Sequence, residues 1–391
     1  MRHMDLTNLA NPLLDGIPIP VERATRNGKG PATAGFRIVS ADNHWEVASD
    51  IFVERLPLAL QARAPRAWVD RFPQVGFAKD GGQVESLFGT DMMDRIMYVS
   101  TGRPGSWDLK SRAADLDAEG IDAELNFPGA MLFLFGSPDL ELREAVFRIY
   151  NRYIMERAAE SDGRSHGVGV VPNWWDPSKA ESTVQEMVDL GLKTFMLPVK
   201  PGKDLDGKPV VYSEPGCDRL MKAIEESGIP LCFHVGENGI PSGRGGWGIT
   251  ATPAFQPFLE TLCQFMFGGV FDRCPKLQVV FAEGGIAWVA PALQDAETVL
   301  DNGRSLIEPL PKLRPSEYWR RNCYATFMND RLGLSLLDII GADRVMWGQD
   351  YPHMESTLGY TDQATETVVR MAGPAAARDI LGGTAARLFK I

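Results

Sequence analysis

Cysteine is scarce in this 391-residue chain: Cys217, Cys232, Cys263, Cys274 and Cys323 are odd in number and form no Cys-x-x-Cys pair. That speaks against a disulfide framework and a thiolate zinc site, and reads instead as buried thiols. Long apolar runs are missing as well. No stretch reaches the run of about 18 apolar residues read as a membrane span. The opening MRHMDLTNLANPLLDG lacks the apolar core of a secretory signal, so a cytoplasmic location is expected. Positive charge is in deficit, and a net charge of −11 offers no attraction to nucleic acid or to an anionic membrane. Phosphate-binding loops are absent, since neither Walker spacing nor a GxGxxG between strand and helix occurs. Internal repeats and low-complexity tracts are not evident either.

What is present is an alternation. Short apolar runs at 36–41, 121–127, 167–172, 193–199, 229–235, 277–283, 322–327 and 344–349 have the near-continuous apolarity of parallel strands covered on both faces. Helical periodicity fills intervals between them, at Leu142 to Ala159, Ser178 to Leu190, Ser213 to Ser227, Pro253 to Phe267 and Arg331 to Ile340. Eight strands alternating with helices predict a (β/α)8 barrel in one decorated domain over 36–391.

Three segments depart from the repeat. Residues 1–35, rich in Pro, Gly and Asn, read as an arm lying across the barrel or a partner subunit. Residues 52–108 insert between the first strand and its helix and carry Phe72, a Lys79-Asp80-Gly81-Gly82 turn, Met92, Met93 and Trp107. So long a βα loop sits on the catalytic face of a barrel. The third segment, GENGIPSGRGGWG over 236–248, holds Arg244 and Trp247 and reads as a mobile wall of the site.

Only five histidines occur: His3, His44, His166, His234 and His353. Three of them fall at or just past strand C-termini, where barrel active sites lie. Asp42 and His44 are spaced i, i+2 and so share one side of an extended strand. Together with His234 and Asp350 they would converge nitrogen and oxygen donors on one divalent ion. Such donors suit zinc and also manganese, zinc being the expectation. Glu283 ends the sixth run, and can be read as a proton shuttle or as an acceptor steadying a ligand histidine. His353 lines the pocket or caps the turn after Asp350. Trp45, Trp107 and Trp247 are expected to wall a substrate ring, with Arg244 and His353 as further substrate contacts.

The motifs SADNHWE, DLDAEGIDAELNFPG, FHVGENG, VVFAEGGIAWV and GADRVMWGQDYPHMES together resemble the amidohydrolase superfamily. The similarity is to its branch of metal-dependent hydrolases and decarboxylases, which includes aminocarboxymuconate-semialdehyde and resorcylate decarboxylases. The resemblance runs from about residue 36 to 391. It implies that Asp42 and His44 fill the first-strand ligand positions, His234 the fifth and Asp350 the eighth. It also implies a homodimer or homotetramer acting on a small molecule.

Two departures stand out: Asp-x-His replaces the usual His-x-His or Glu-x-His, and Glu283 replaces the sixth-strand histidine of the decarboxylases. An ionised Glu283 would repel a carboxylate substrate, by several kcal/mol at about 4 Å. The sequence therefore favours hydrolysis of an amide, ester, lactone or activated C–C bond in a small cyclic or aromatic molecule by a metal-activated water. Non-oxidative decarboxylation of an aromatic or muconate-type acid is the alternative. A barrel kept for binding without catalysis is the third reading.

Overall fold

The computed structural model describes residues 28–47, 50–68, 74–78, 84–86, 102–237 and 244–391. Its centre is a parallel sheet of eight strands in sequential order: β1 Val39–Trp45, β2 Ala123–Pro128, β3 Ser165–Val170, β4 Thr194–Met196, β5 Leu231–His234, β6 Val279–Ala282, β7 Cys323–Phe327 and β8 Val345–Trp347. Backbone bonds from Asp350 N to Asp42 O (2.7 Å) and from His44 N to Tyr351 O (2.7 Å) bring the β8 end against β1. The fold is a (β/α)8 barrel.

All eight apolar runs became strands because both faces are covered. Val39, Val168, Phe195, Phe233 and Phe281 are fully buried. Phe281 stacks between Phe233 and Trp319, with ring centroids 6.1 and 6.4 Å away. The first strand begins and ends later than the apolar run predicts. The chain stays paired with β2 through the polar triplet, across an irregularity between Ser40 and Asn43.

Two of the expected helices are divided. The segment predicted as one helix from Pro253 to Phe267 is Gly246–Ala254 followed by Leu259–Phe267. The break falls at Pro257, which has no N–H for a helical bond. Arg331–Leu334 and Leu337–Ile340 are likewise two short turns rather than one helix.

Within the insertion, two short helices precede a three-stranded antiparallel sheet of Pro65–Trp68, Gln74–Ala78 and Val84–Ser86. Phe72, the Lys79–Gly82 turn, Met92 and Met93 lie outside the described residues, as do residues 1–27 of the expected arm. No helix among the described residues is long and apolar enough to cross a membrane. The five cysteines are free thiols, four of them buried.

The first helix after the insertion, α1 (Leu109–Glu119), is capped by the Asp108 carboxylate, which accepts from Ser111 N at 2.8 Å. From it Arg112 enters the wall of the barrel at 1% exposure. Its guanidinium donates to both Glu124 oxygens (2.6 and 2.8 Å), to Asn126 Oδ1 (2.5 Å) and to the carbonyls of His44 (2.9 Å) and Gly105 (3.0 Å). Truncation would leave Glu124 buried without its cation. Arg112→Ala is expected to cost about 3–5 kcal/mol, read from urea unfolding. A loss under about 1 kcal/mol, the range of a surface pair, would contradict this.

Candidate metal centre

Strand alternation delivers the first two donors. Along β1 the side chains of Asp42 and His44 turn inward, while those of Asn43 and Trp45 turn out into the wall. There Asn43 Nδ2 donates to Glu124 (2.5 Å) and Trp45 Nε1 to the Tyr153 hydroxyl (3.4 Å). At the end of β5, His234 Nδ1–H donates to the Val235 carbonyl (2.9 Å). That hydrogen bond fixes the tautomer and leaves the Nε2 lone pair facing Asp42 Oδ1 at 3.2 Å.

Glu283 and Asp350 follow β6 and β8 in left-handed backbone, with φ of 68° and 62°. Non-glycine residues rarely adopt this conformation, and here it turns both carboxylates onto the barrel axis. Glu283 Oε2 lies 3.1 Å from His234 Nε2 and 3.5 Å from His44 Nε2. Asp350 Oδ1 lies 3.1 Å from His44 Nε2 and 2.8 Å from His353 Nδ1. Thr326, from β7, completes the floor: its hydroxyl donates to Asp42 Oδ2 (3.0 Å) and accepts from Glu283 N (2.7 Å).

Two overlapping donor sets result. Asp42, His44, His234 and Glu283 each place a donor atom within 4.8 Å of the others, as do His44, Glu283, Asp350 and His353. Three carboxylates in such a space repel one another unless a cation or protons intervene. Both ring nitrogens of His44 and both oxygens of Asp350 are buried without a well-aligned hydrogen-bond partner. Nitrogen and oxygen donors with unspent lone pairs and surplus negative charge fit a divalent cation.

Without an ion the titrations are displaced accordingly. Burial, then the charges of Asp350, Asp42 and Glu355, raises Glu283 well above the usual carboxylate range. Burial pushes Asp350 up to about 7, although His353 pulls the other way. Burial depresses His44 well below the ordinary histidine range, with the neighbouring His353 and His234 adding to it. For His353, burial is outweighed by the Asp350 carboxylate, and its imidazole rises to about 10.

The sign for stability follows. Asp350, Glu283 and His353 bind protons more tightly folded than unfolded, so their contribution is lost as pH rises through the folded values. His44 works in the opposite sense, but only below its unfolded value near 6.5. The metal-free protein is therefore expected to lose thermal stability between about pH 6.5 and pH 9, and saturating metal to flatten that decline. Scanning calorimetry at several pH values decides it: a metal-free Tm that climbs over this window would refute the assignment.

Of the predicted donors, Asp42, His44 and His234 share one set with Glu283, whereas Asp350 joins His44, Glu283 and His353 in the second; Glu283 lies inside both sets instead of behind them. His353 closes the turn after Asp350 and lies beside the donor cluster. Its ring lies 3.9 Å from that of His44, and its backbone N–H closes the turn onto Asp350 O at 2.9 Å. Trp45 is placed differently from expectation: it is 1% exposed, with the Arg112 guanidinium 5.3 Å from its ring. It packs the wall, because it alternates with His44. Trp107 is half-buried just ahead of α1, and Arg244 is exposed on the turn before helix 246–254, in which Trp247 lies. Sequence reasoning missed Thr326 and Arg112. Thr326 has one signal, a polar residue inside the apolar run 322–327; Arg112 lies outside every run and quoted motif and has none.

The profile of the Amidohydrolase family matches residues 41–391. The chain belongs to this family. Among curated relatives, a 2-amino-3-carboxymuconate-6-semialdehyde decarboxylase of Dictyostelium discoideum is 25% identical over 257 residues, covering 63% of this chain and 67% of that protein. Among solved structures, an amidohydrolase from Mycobacterium avium subsp. paratuberculosis K-10 superposes with a TM-score of 0.69 at 19% identity, over 91% of this chain and 98% of the other. A dihydroxybenzoic acid decarboxylase from Polaromonas sp. JS666, holding manganese and the inhibitor 2-nitroresorcinol, gives a TM-score of 0.61 at 17% identity, over 91% and 97%.

Proposed function

We propose that this member of the amidohydrolase family is a metal-dependent, non-oxidative decarboxylase of a small aromatic or muconate-type acid. The observation that carries the reading is the Asp350–His353 contact of 2.8 Å beside the donor cluster, a carboxyl and an imidazole placed as a proton-delivery pair. The Dictyostelium relative supports the same class. Hydrolysis, favoured by the sequence alone, rested on Glu283 as a lone charge facing the substrate. In the folded chain that carboxyl faces His44 and His234 within the donor set, and burial with the charges of Asp350 and Asp42 raises it well above the usual carboxylate range, which weakens the objection to an anionic substrate.

Asp42, His44, His234 and Glu283 would hold the ion, with Asp350 at its edge. A divalent metal bound there would anchor the acid's oxygens and draw electron density from the ring; zinc and manganese both suit the donors. When the C–CO2 bond breaks, its electron pair stays on the ring carbon. That carbon takes a proton from Asp350 Oδ, and His353 Nδ1 returns one to the carboxylate. The sum is an acid anion and a proton giving the ring C–H and carbon dioxide. Arg244, Trp107 and Trp247 are proposed to meet the substrate carboxylate and ring.

A panel of hydroxybenzoates and muconate-type acids, offered to protein loaded with zinc or manganese, tests the reading. Products about 44 mass units lighter, with carbon dioxide released, are expected. Products about 18 units heavier would return the hydrolase reading.

A further inference from the structure

The segment that carries Asp350 and His353 is held from outside the donor cluster. Arg112, Asp115 and Glu119 are spaced i, i+3 and i+7 on α1 and share one face of the helix. All three meet residues 349–361. Asp115 Oδ2 accepts from the Tyr351 hydroxyl at 2.5 Å, and its Oδ1 is fixed by Arg103 at 2.7 Å. Glu119 accepts from Gly359 N (3.0 Å), the Thr361 hydroxyl (2.5 Å) and Gln349 Nε2 (3.4 Å). The Arg112 guanidinium lies 4.8 Å from the Tyr351 ring. Gln349 Nε2 also reaches Thr361 Oγ1 at 3.1 Å, which ties the two ends of the segment together.

These ties bracket the reacting pair. Gln349 and Tyr351 flank Asp350, whose left-handed φ of 62° is a strained state that persists only where its surroundings over-determine it. His353 follows two residues after the Tyr351 tie, and Gly359 and Thr361 close the segment behind it. A metal ion is not needed for any of these contacts. β1 also touches the segment, through Asp350 N to Asp42 O and His44 N to Tyr351 O (both 2.7 Å), but those are backbone bonds, and none of the contacts that α1 makes with the segment involves a metal donor.

We propose that Asp115 and Glu119 are positioning residues, which clamp segment 349–361 from α1 so that Asp350 and His353 stay in contact for proton delivery. The inference rests on the proton-delivery role proposed above. It gives α1 a polar face that serves the reaction without touching substrate, and it explains why two carboxylates of one helix are spent on a single loop.

The test compares Asp115→Ala, Asp115→Asn and Glu119→Ala with a control, Asp117→Ala, on the exposed side of the same helix, where Asp117 pairs with Arg164. Four quantities are read well below the unfolding temperature: kcat, KM, metal content, and amide hydrogen exchange along 349–361. Asp115→Ala and Glu119→Ala are expected to lower kcat about 10–100-fold, the scale of an ångström of misplacement. KM should stay within about twofold, metal content should hold, and exchange along 349–361 should rise about tenfold or more. Asp115→Asn keeps an acceptor for the Tyr351 hydroxyl and should recover most of the loss, while Asp117→Ala leaves all four quantities unchanged.

Unchanged kcat with a lower Tm would reduce the face to ordinary packing and overturn the proposal. So would loss of metal in step with kcat. If Glu119→Ala does not fold, Glu119→Gln takes its place, and its weaker acceptor should give a smaller change of the same kind. Should the wild-type protein turn over no acid, the functional reading fails by itself. The exchange measurement still decides this one: raised exchange along 349–361 supports the clamp, and unchanged exchange overturns it.

Discussion

Asp350→Asn is expected to lower kcat by about 10²–10⁴-fold while the protein keeps its metal. The amide matches the carboxylate in size and can still offer an oxygen, but it carries no transferable proton. Asp350 is the point where the donor cluster meets the imidazole, with His44 Nε2 at 3.1 Å on one side and His353 Nδ1 at 2.8 Å on the other. Metal retention is expected because Asp42, His44, His234 and Glu283 form a complete donor set without it. KM should change little, since the loss falls on the proton-transfer step rather than on binding. The measurement is steady-state turnover beside elemental analysis of the same sample. Metal loss that accounts for the whole fall in rate would make Asp350 a structural ligand and remove its role as the acid.

His353→Gln separates the partner from the acid. Glutamine can still approach Asp350, but it cannot return a proton. Turnover should fall less than in Asp350→Asn, because water can reach Asp350 through the position of His353, whose side chain is 21% exposed. A fall equal to that of Asp350→Asn would mean that His353 is itself the group that meets the substrate.

Much of this was legible before folding. Eight apolar runs gave eight strands because parallel strands buried on both faces carry few polar interruptions; of those, Asp42, His44, His234 and Thr326 meet at the donor cluster, while Glu124 and Asn126 bind Arg112 in the wall. The i, i+2 spacing of Asp42 and His44 correctly put both on one side. The same alternation, carried one residue further, turns Trp45 away from the mouth, which the reading of it as a substrate wall overlooked.

Glu283 was harder. Its place inside the cluster comes from a left-handed backbone just past the end of β6, and no side-chain period encodes that turn. The Arg112–Glu124 pair joins a helix to the neighbouring strand, and the ties from Asp115 and Glu119 span more than two hundred residues. Such contacts exist only once the barrel closes.

Glu283→Gln should move stability and metal binding in opposite directions. In the metal-free protein Glu283 is one of three carboxylates crowded at a buried point, and the neighbouring charges of Asp350 and Asp42 add to burial in holding it protonated. A neutral amide removes its share of that repulsion. The metal-free variant is therefore expected to unfold at a higher temperature than wild type at pH 8, where ionisation is most costly. Metal affinity should fall, by roughly 10–100-fold, because an anionic donor 3.1 Å from His234 Nε2 becomes a neutral one. At saturating metal, kcat should stay within about tenfold of wild type, because the acid, Asp350, is untouched. A fall of 10²-fold or more under those conditions would make Glu283 the proton shuttle that the sequence alone suggested. Glu283→His then sharpens the comparison, by placing between His44 and His234 the imidazole that the resemblance to decarboxylases implies for this strand end. If that variant binds metal and releases carbon dioxide from a hydroxybenzoate, glutamate and histidine are interchangeable donors at this point of the barrel. If it binds metal and is inert, the carboxylate is required for more than charge.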